Sequence, residues 1–113
     1  MARQYEEISG EQLSQAEGLA DWRVLGSYAH VVFRSGTFTT GLALVNRIGE
    51  LAEEADHHPD VLLTYPSVEV RLTTHATSSL TTADLDLAQQ ISAAARDLGL
   101  AGDPDAIRAW ADE

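Results

Sequence analysis

Glu53-Glu54-Ala55-Asp56-His57-His58-Pro59 sets three carboxylates directly before two adjacent imidazoles, and a proline closes the run. Two of the chain's four histidines lie here, and His75 follows on a separate segment. Imidazole is the side chain whose ordinary titration falls near neutrality, so such a cluster suits proton transfer or metal binding. Three histidines with Glu53 or Asp56 could in principle hold zinc or iron, although adjacent histidines ligate one ion less naturally than an i, i+4 pair does. The chain has no cysteine, which removes disulfides, thiol nucleophiles and thiolate ligands and leaves histidine and carboxylate as the reactive groups.

The elements around this run must carry it. Leu44, Val45, Ile48, Leu51, Ala52 and Ala55 recur at 3- and 4-residue spacing, predicting an amphipathic helix over about 41–55, capped by Thr39 or Thr40. Glu53 and His57 share one face if its last turn persists, while Pro59 disfavours helical geometry at His58 and turns the two imidazoles apart. Val61 to Tyr65 reads as a strand and Pro66-Ser67 as its turn. Val68 to His75 alternates, with Val68, Val70, Leu72 and Thr74 on one face and Glu69, Arg71, Thr73 and His75 on the other. His75 thus falls on the non-core side or at the strand end, and Tyr65 is expected to fill the sheet.

Upstream, Ser9 and Gln12 form a capping-box pattern for a helix over about 10–20. Two strands then flank Gly26-Ser27, and His30 in the second reads as a half-buried sheet residue. Downstream, Thr81 and Asp84 cap a long helix with Leu85, Ala88, Ile91, Ala95 and Leu98 on its inner face, ended by Gly99. Asp103-Pro104 then opens a short helix bearing Ile107 and Trp110. The order α-β-β-α-β-β-α predicts an α+β two-layer sandwich: a four-stranded antiparallel sheet, three helices on one face, the other face open. Residues 1–99 form the domain and 100–113 a short C-terminal helical extension. Exposed sheet edges make a homodimer or homotetramer an easy assembly.

With 113 residues, 44% of them apolar, the chain is one globular domain with no stretch approaching the ~20 apolar residues of a membrane span. Its formal charge of −11 opposes direct nucleic acid binding and anionic membrane surfaces. The first residues lack the basic start and apolar core of a secretory signal, which points to the cytoplasm.

Glu53, His57-His58-Pro59, Tyr65, His75 and Asp84 at these intervals, with Trp22 and the element order, resemble the pterin-4a-carbinolamine dehydratase family, also known as the dimerization cofactor of a homeodomain transcription factor. The resemblance covers about residues 9–98. It implies loss of water from 4a-hydroxytetrahydropterin without metal or organic cofactor, with His57, His58 and His75 as catalytic histidines. It further implies that Asp56, Thr73, Thr74 and Ala76 bind the pterin. Glu53 and Asp84 fall on signature positions too, either to orient an imidazole or, for Asp84, to cap its helix with Thr81. The chain departs from the family pattern at Val61, where an aromatic is common, in Ala76-Thr77-Ser78-Ser79 after His75, and in the tail from about 100. A non-catalytic binding, assembly or transcriptional-cofactor protein on the same fold is the alternative.

Overall fold

The computed structural model describes residues 6–113. Ser9 caps a short helix, α1 (Gly10–Ser14), through a complete capping box with Gln12; the expected helix over 10–20 stops after these five residues and continues as turns. β1 (Arg23–Leu25) and β2 (Tyr28–Arg34) form a hairpin around Gly26-Ser27, where Gly26 adopts φ 61°. Helix α2 (Phe38–Ala55) starts earlier than the apolar periodicity suggested, because the Thr37 side chain rather than Thr39 or Thr40 caps it by accepting from the Thr40 amide. β3 (Asp60–Leu63) and β4 (Ser67–Leu72) form the second hairpin, and α3 (Thr82–Asp97) follows, capped by Thr81 with Asp84 completing the box.

The sheet is antiparallel with strand order β1-β2-β4-β3. Ala29, Val31 and Phe33 of β2 and Val68, Val70 and Leu72 of β4 alternate onto the face that meets the helices, together with Leu13, Leu44, Ile48, Leu87 and Ile91. Trp22 is fully enclosed in this core, and its indole N–H donates to Ser92 Oγ at 2.7 Å, so its one polar atom is satisfied. On α3, Leu87 is buried while Leu98 is exposed, a shift of the stripe from the predicted inner face. Tyr65 does not fill the sheet; it stands 68% exposed at the turn between β3 and β4.

The largest departure concerns the second face of the sheet, which is not open. A fifth strand, β5 (Ala101–Gly102), pairs with Phe33 and Arg34 of β2, and the chain then crosses that face. The helix expected to carry Ile107 and Trp110 is reduced to one 3₁₀ turn over Pro104–Ala106, after which the chain has no regular element and closes in a turn from Trp110 to Glu113. On that face Glu69 and Arg71 of β4 are buried, so no residue of the strand is exposed, and His30 is fully rather than half buried.

Candidate active site

The histidine run owes its shape to the way α2 ends. Asp56 takes the left-handed conformation (φ 50°, ψ 44°), its amide bonds the Glu53 carbonyl, and the His57 amide bonds the Ala52 carbonyl at 3.1 Å. This is a Schellman ending, normally built on glycine, and an aspartate there holds a conformation costly for a residue with a Cβ. The helix therefore stops before His57, so Glu53 and His57 do not share a helical face as their spacing suggested. His57 turns inward and His58 outward, where its Nε2 pairs with Glu53 Oε2.

Beneath His57 lies a buried polar network. Its Nε2 is 2.6 Å from Asp84 Oδ1, and Asp84 is wholly enclosed at the first turn of α3. The other carboxylate oxygen, Oδ2, accepts from Thr74 Oγ1 at 2.8 Å and from the Thr81 amide at 2.9 Å. Thr74 and Thr81 hydroxyls are themselves 2.7 Å apart. The segment before α1 closes the network from outside, with the Ile8 amide on the Leu80 carbonyl and the Thr82 amide on the Glu6 carbonyl. A carboxylate accepts only, so His57 Nε2 is the donor, which sets the tautomer of the neutral ring with Nδ1 unprotonated.

β4 supplies the opposite wall. After Leu72 the chain passes through Thr73 and Thr74 into a turn closed by the Thr74 amide on the Ser79 carbonyl (3.0 Å), which presents His75 and Ala76 outward. Between the two walls is a cleft of about 210 Å³ lined by Asp56, His57, His58, Thr73, Thr74, His75 and Ala76. Three imidazoles from two separate chain segments thus border one space, with a carboxylate and strand-end backbone beside them.

The sequence model of the family described as pterin 4 alpha carbinolamine dehydratase matches residues 6–94. A Nocardia farcinica protein provisionally named a pterin-4-alpha-carbinolamine dehydratase is 39% identical over 90 residues, covering 79% of this chain and 95% of its own. A similarly named Cyanothece protein is 42% identical over 83 residues, 74% of this chain and 86% of the relative. The chain belongs to the pterin-4a-carbinolamine dehydratase family. Its fold is also that of a crystal structure titled transcriptional coactivator/pterin dehydratase from Brucella melitensis, with TM-score 0.70, 24% identity, and coverage of 80% of this chain and 99% of that one.

The residues that carry the resemblance, from Glu53 to Asp84, fall inside the matched span. The fold brings seven of the nine residues singled out from the sequence to the cleft wall. The remaining two stand apart from it. Asp84 is sealed beneath His57 and supports the ring rather than facing a ligand, while Glu53 sits outside, on His58. Among the described residues no three histidines or carboxylates converge in a way that could hold a metal ion, because His57 and His58 diverge. No helix among them is long and apolar enough to cross a membrane. Thr81 was legible only as a helix cap; its second task, bracing Thr74 and Asp84 under the histidine, depends on a contact across seven residues.

Proposed function

We propose that this chain eliminates water from a 4a-hydroxytetrahydropterin, such as 4a-hydroxytetrahydrobiopterin, to give the quinonoid dihydropterin. It would do so by histidine acid/base catalysis with no metal or organic cofactor. The supporting observation is the meeting of His57, His58 and His75 in one cleft with Asp56 and the Thr73–Ala76 segment. Dehydration of a carbinolamine needs a proton delivered to the departing hydroxyl and another removed from the neighbouring ring nitrogen. As the C–O bond breaks, the nitrogen's electron pair forms the new carbon–nitrogen double bond, and the proton account balances as water leaves.

The residues divide these tasks. His58, exposed and held by Glu53, stands at the hydroxyl, and His57 with His75 moves the ring-nitrogen proton. The Asp84 contact keeps His57 in one tautomer and one orientation, which positions it without touching substrate. Asp56 and the backbone at the end of β4 match donors and acceptors of the planar pterin. Stopped-flow mixing with chemically generated 4a-hydroxytetrahydropterin tests the reading. Wild-type protein should speed dehydration, and His58→Ala should lose ~10²-fold or more of that rate, the scale of one acid/base group. Its melting temperature should hold, since the side chain is 58% exposed. Wild-type protein that leaves the spontaneous rate unchanged would rule the reading out.

A further inference from the structure

The second face of the sheet carries charged side chains that the dehydratase reading does not use. Strand register lines up Arg23 of β1, His30 of β2, Arg71 of β4 and Asp60 of β3 in one row across it. A sheet backed by helices on one side ordinarily leaves such a row to water. Here Arg71 is only 5% exposed and His30 only 2%, and the covering segment is the chain's own residues 103–113.

The contacts are charge-assisted and directional. Two guanidinium nitrogens of Arg71 meet both Asp112 oxygens at 2.6 Å, a bidentate pair, and Nη1 also reaches Glu113 Oε2 at 3.0 Å. The third nitrogen, Nε, donates to Asp60 at 2.8 Å. The guanidinium lies between two rings, its carbon 4.5 Å from the Tyr28 centroid and 4.3 Å from that of Trp110. Glu113 Oε1 takes His30 Nε2 at 3.0 Å, and the edge of Trp110 meets the His30 ring. Further along, Arg108 reaches Glu69 and Asp103 pairs with Arg34.

The covering segment itself has little else to hold it. No residue after Leu100 packs in the main core, and beyond the two residues of β5 its backbone tie to the sheet is the Asp103 amide on the Val32 carbonyl. It also lies past the span that the family model matches. The side of the site belonging to the sheet is preformed by strand register, with Arg71 anchored to Asp60 and stacked on Tyr28 by its own sheet neighbours. We propose that His30, Arg71 and Tyr28 form a binding site for an acidic, tryptophan-bearing peptide segment, occupied in cis by residues 108–113 as a releasable strap. The carboxylate hydrogen bonds, Asp112 foremost, drive the Arg71 pKa upward against the opposing effect of burial, as expected of a cation held by a matched anionic ligand.

Full-length Asp112→Asn/Glu113→Gln protein tests this, because it keeps the side-chain shapes and removes the strap's two anchoring charges. Trp22 is fully buried, so acrylamide quenching reports on Trp110. The quenching constant should rise about threefold in the variant, an order-of-magnitude expectation for loss of charge-assisted contacts. A fluorescently labelled synthetic peptide of residues 103–113 should bind the variant at least ~10-fold more tightly than wild type, whose tethered strap competes at roughly millimolar effective concentration. Unchanged quenching, or peptide binding that is absent or equal in the two proteins, overturns the proposal. Should the double variant fail to fold by circular dichroism, Asp112→Asn alone decides, because Asp112 is 65% exposed and carries the bidentate pair: Trp110 quenching should rise, and an unchanged constant overturns the proposal.

Discussion

Asp84 offers the sharpest separation between holding the fold and directing the chemistry. In Asp84→Ala three donors lose their acceptor in a place with no solvent: His57 Nε2, Thr74 Oγ1 and the Thr81 amide. The Thr74 hydroxyl falls back on Thr81 Oγ1, 2.7 Å away. Two donors stay unsatisfied and the capping box of α3 is broken. At ~1–3 kcal/mol for each of the two orphaned buried donors, one of them the Thr81 amide of the broken box, the loss is roughly 2–6 kcal/mol, a large part of an ordinary domain's stability.

Asp84→Asn behaves differently. Oδ2 accepts from both Thr74 and the Thr81 amide, so that position must remain an oxygen and the new NH2 must occupy the Oδ1 place, facing His57 Nε2. Two donors cannot share that contact, and the imidazole answers by moving its proton to Nδ1. Stability then falls by only about 1–2 kcal/mol, because the shape and the cap survive. Dehydration slows by ~10²-fold, the scale of an acid/base group held in the wrong protonation pattern. Urea titration gives the first quantity, stopped-flow dehydration the second, and nitrogen-15 shifts of the histidine ring read the tautomer directly. An Asn variant with wild-type rate and an Nε2-protonated His57, or an Ala variant losing less than about 1 kcal/mol, would refute the reasoning.

Two further outcomes follow from the tail. A Cβ at Gly102 would stand 2.6 Å from Asp21 Cβ and 2.8 Å from its Cγ, so Gly102→Ala must push β5 away from its neighbour. That overpacking should cost about 1–3 kcal/mol, a melting-temperature decrease of roughly 4–12 °C, and an unchanged melt would show that the tail is not seated so closely. Acid should release the strap. The Arg71 hydrogen bond brings the Asp112 carboxyl below its ordinary value, and at Glu113 burial pushes upward but bonds from Arg71, the Trp110 amide and His30 outweigh it. Both folded values lie below unfolded ones of ~3.9 and ~4.3, so the stabilisation is complete above those values and is lost as pH falls through the folded ones. Trp110 quenching should stay flat from pH 8 to 5 and rise only below about pH 4; a transition near pH 6 would contradict the carboxylate origin.

The alternation of Val68, Val70, Leu72 and Thr74, the stripe from Leu44 to Ala55 and the caps at Ser9 and Thr81 are local patterns, and they defined the α+β class, the pairing within each hairpin and the histidine run without any coordinates, but not the central pairing of β2 with β4. Local pattern was weaker where an element ends. Thr37 caps α2 and α1 is a single short helix because tertiary packing, not propensity, decides which turns persist. The sense of Glu53 changed for the same reason: the left-handed Asp56 ends the helix before His57, so Glu53 meets His58 and His57 meets Asp84.

Side-chain type and periodicity are properties of neighbours along the chain, and they marked the histidine run and the apolar faces of α2 and β4 but not the shifted stripe of α3. Contacts formed in three dimensions place Asp84 and Thr81 beneath His57 and hold residues 103–113 on Arg71, across a sheet face expected to be open. Those contacts join groups 27 and more than 40 positions apart. Nothing in the local spacing of an arginine and a distant carboxylate specifies that they will meet; strand register and the exit direction of β5 bring them together.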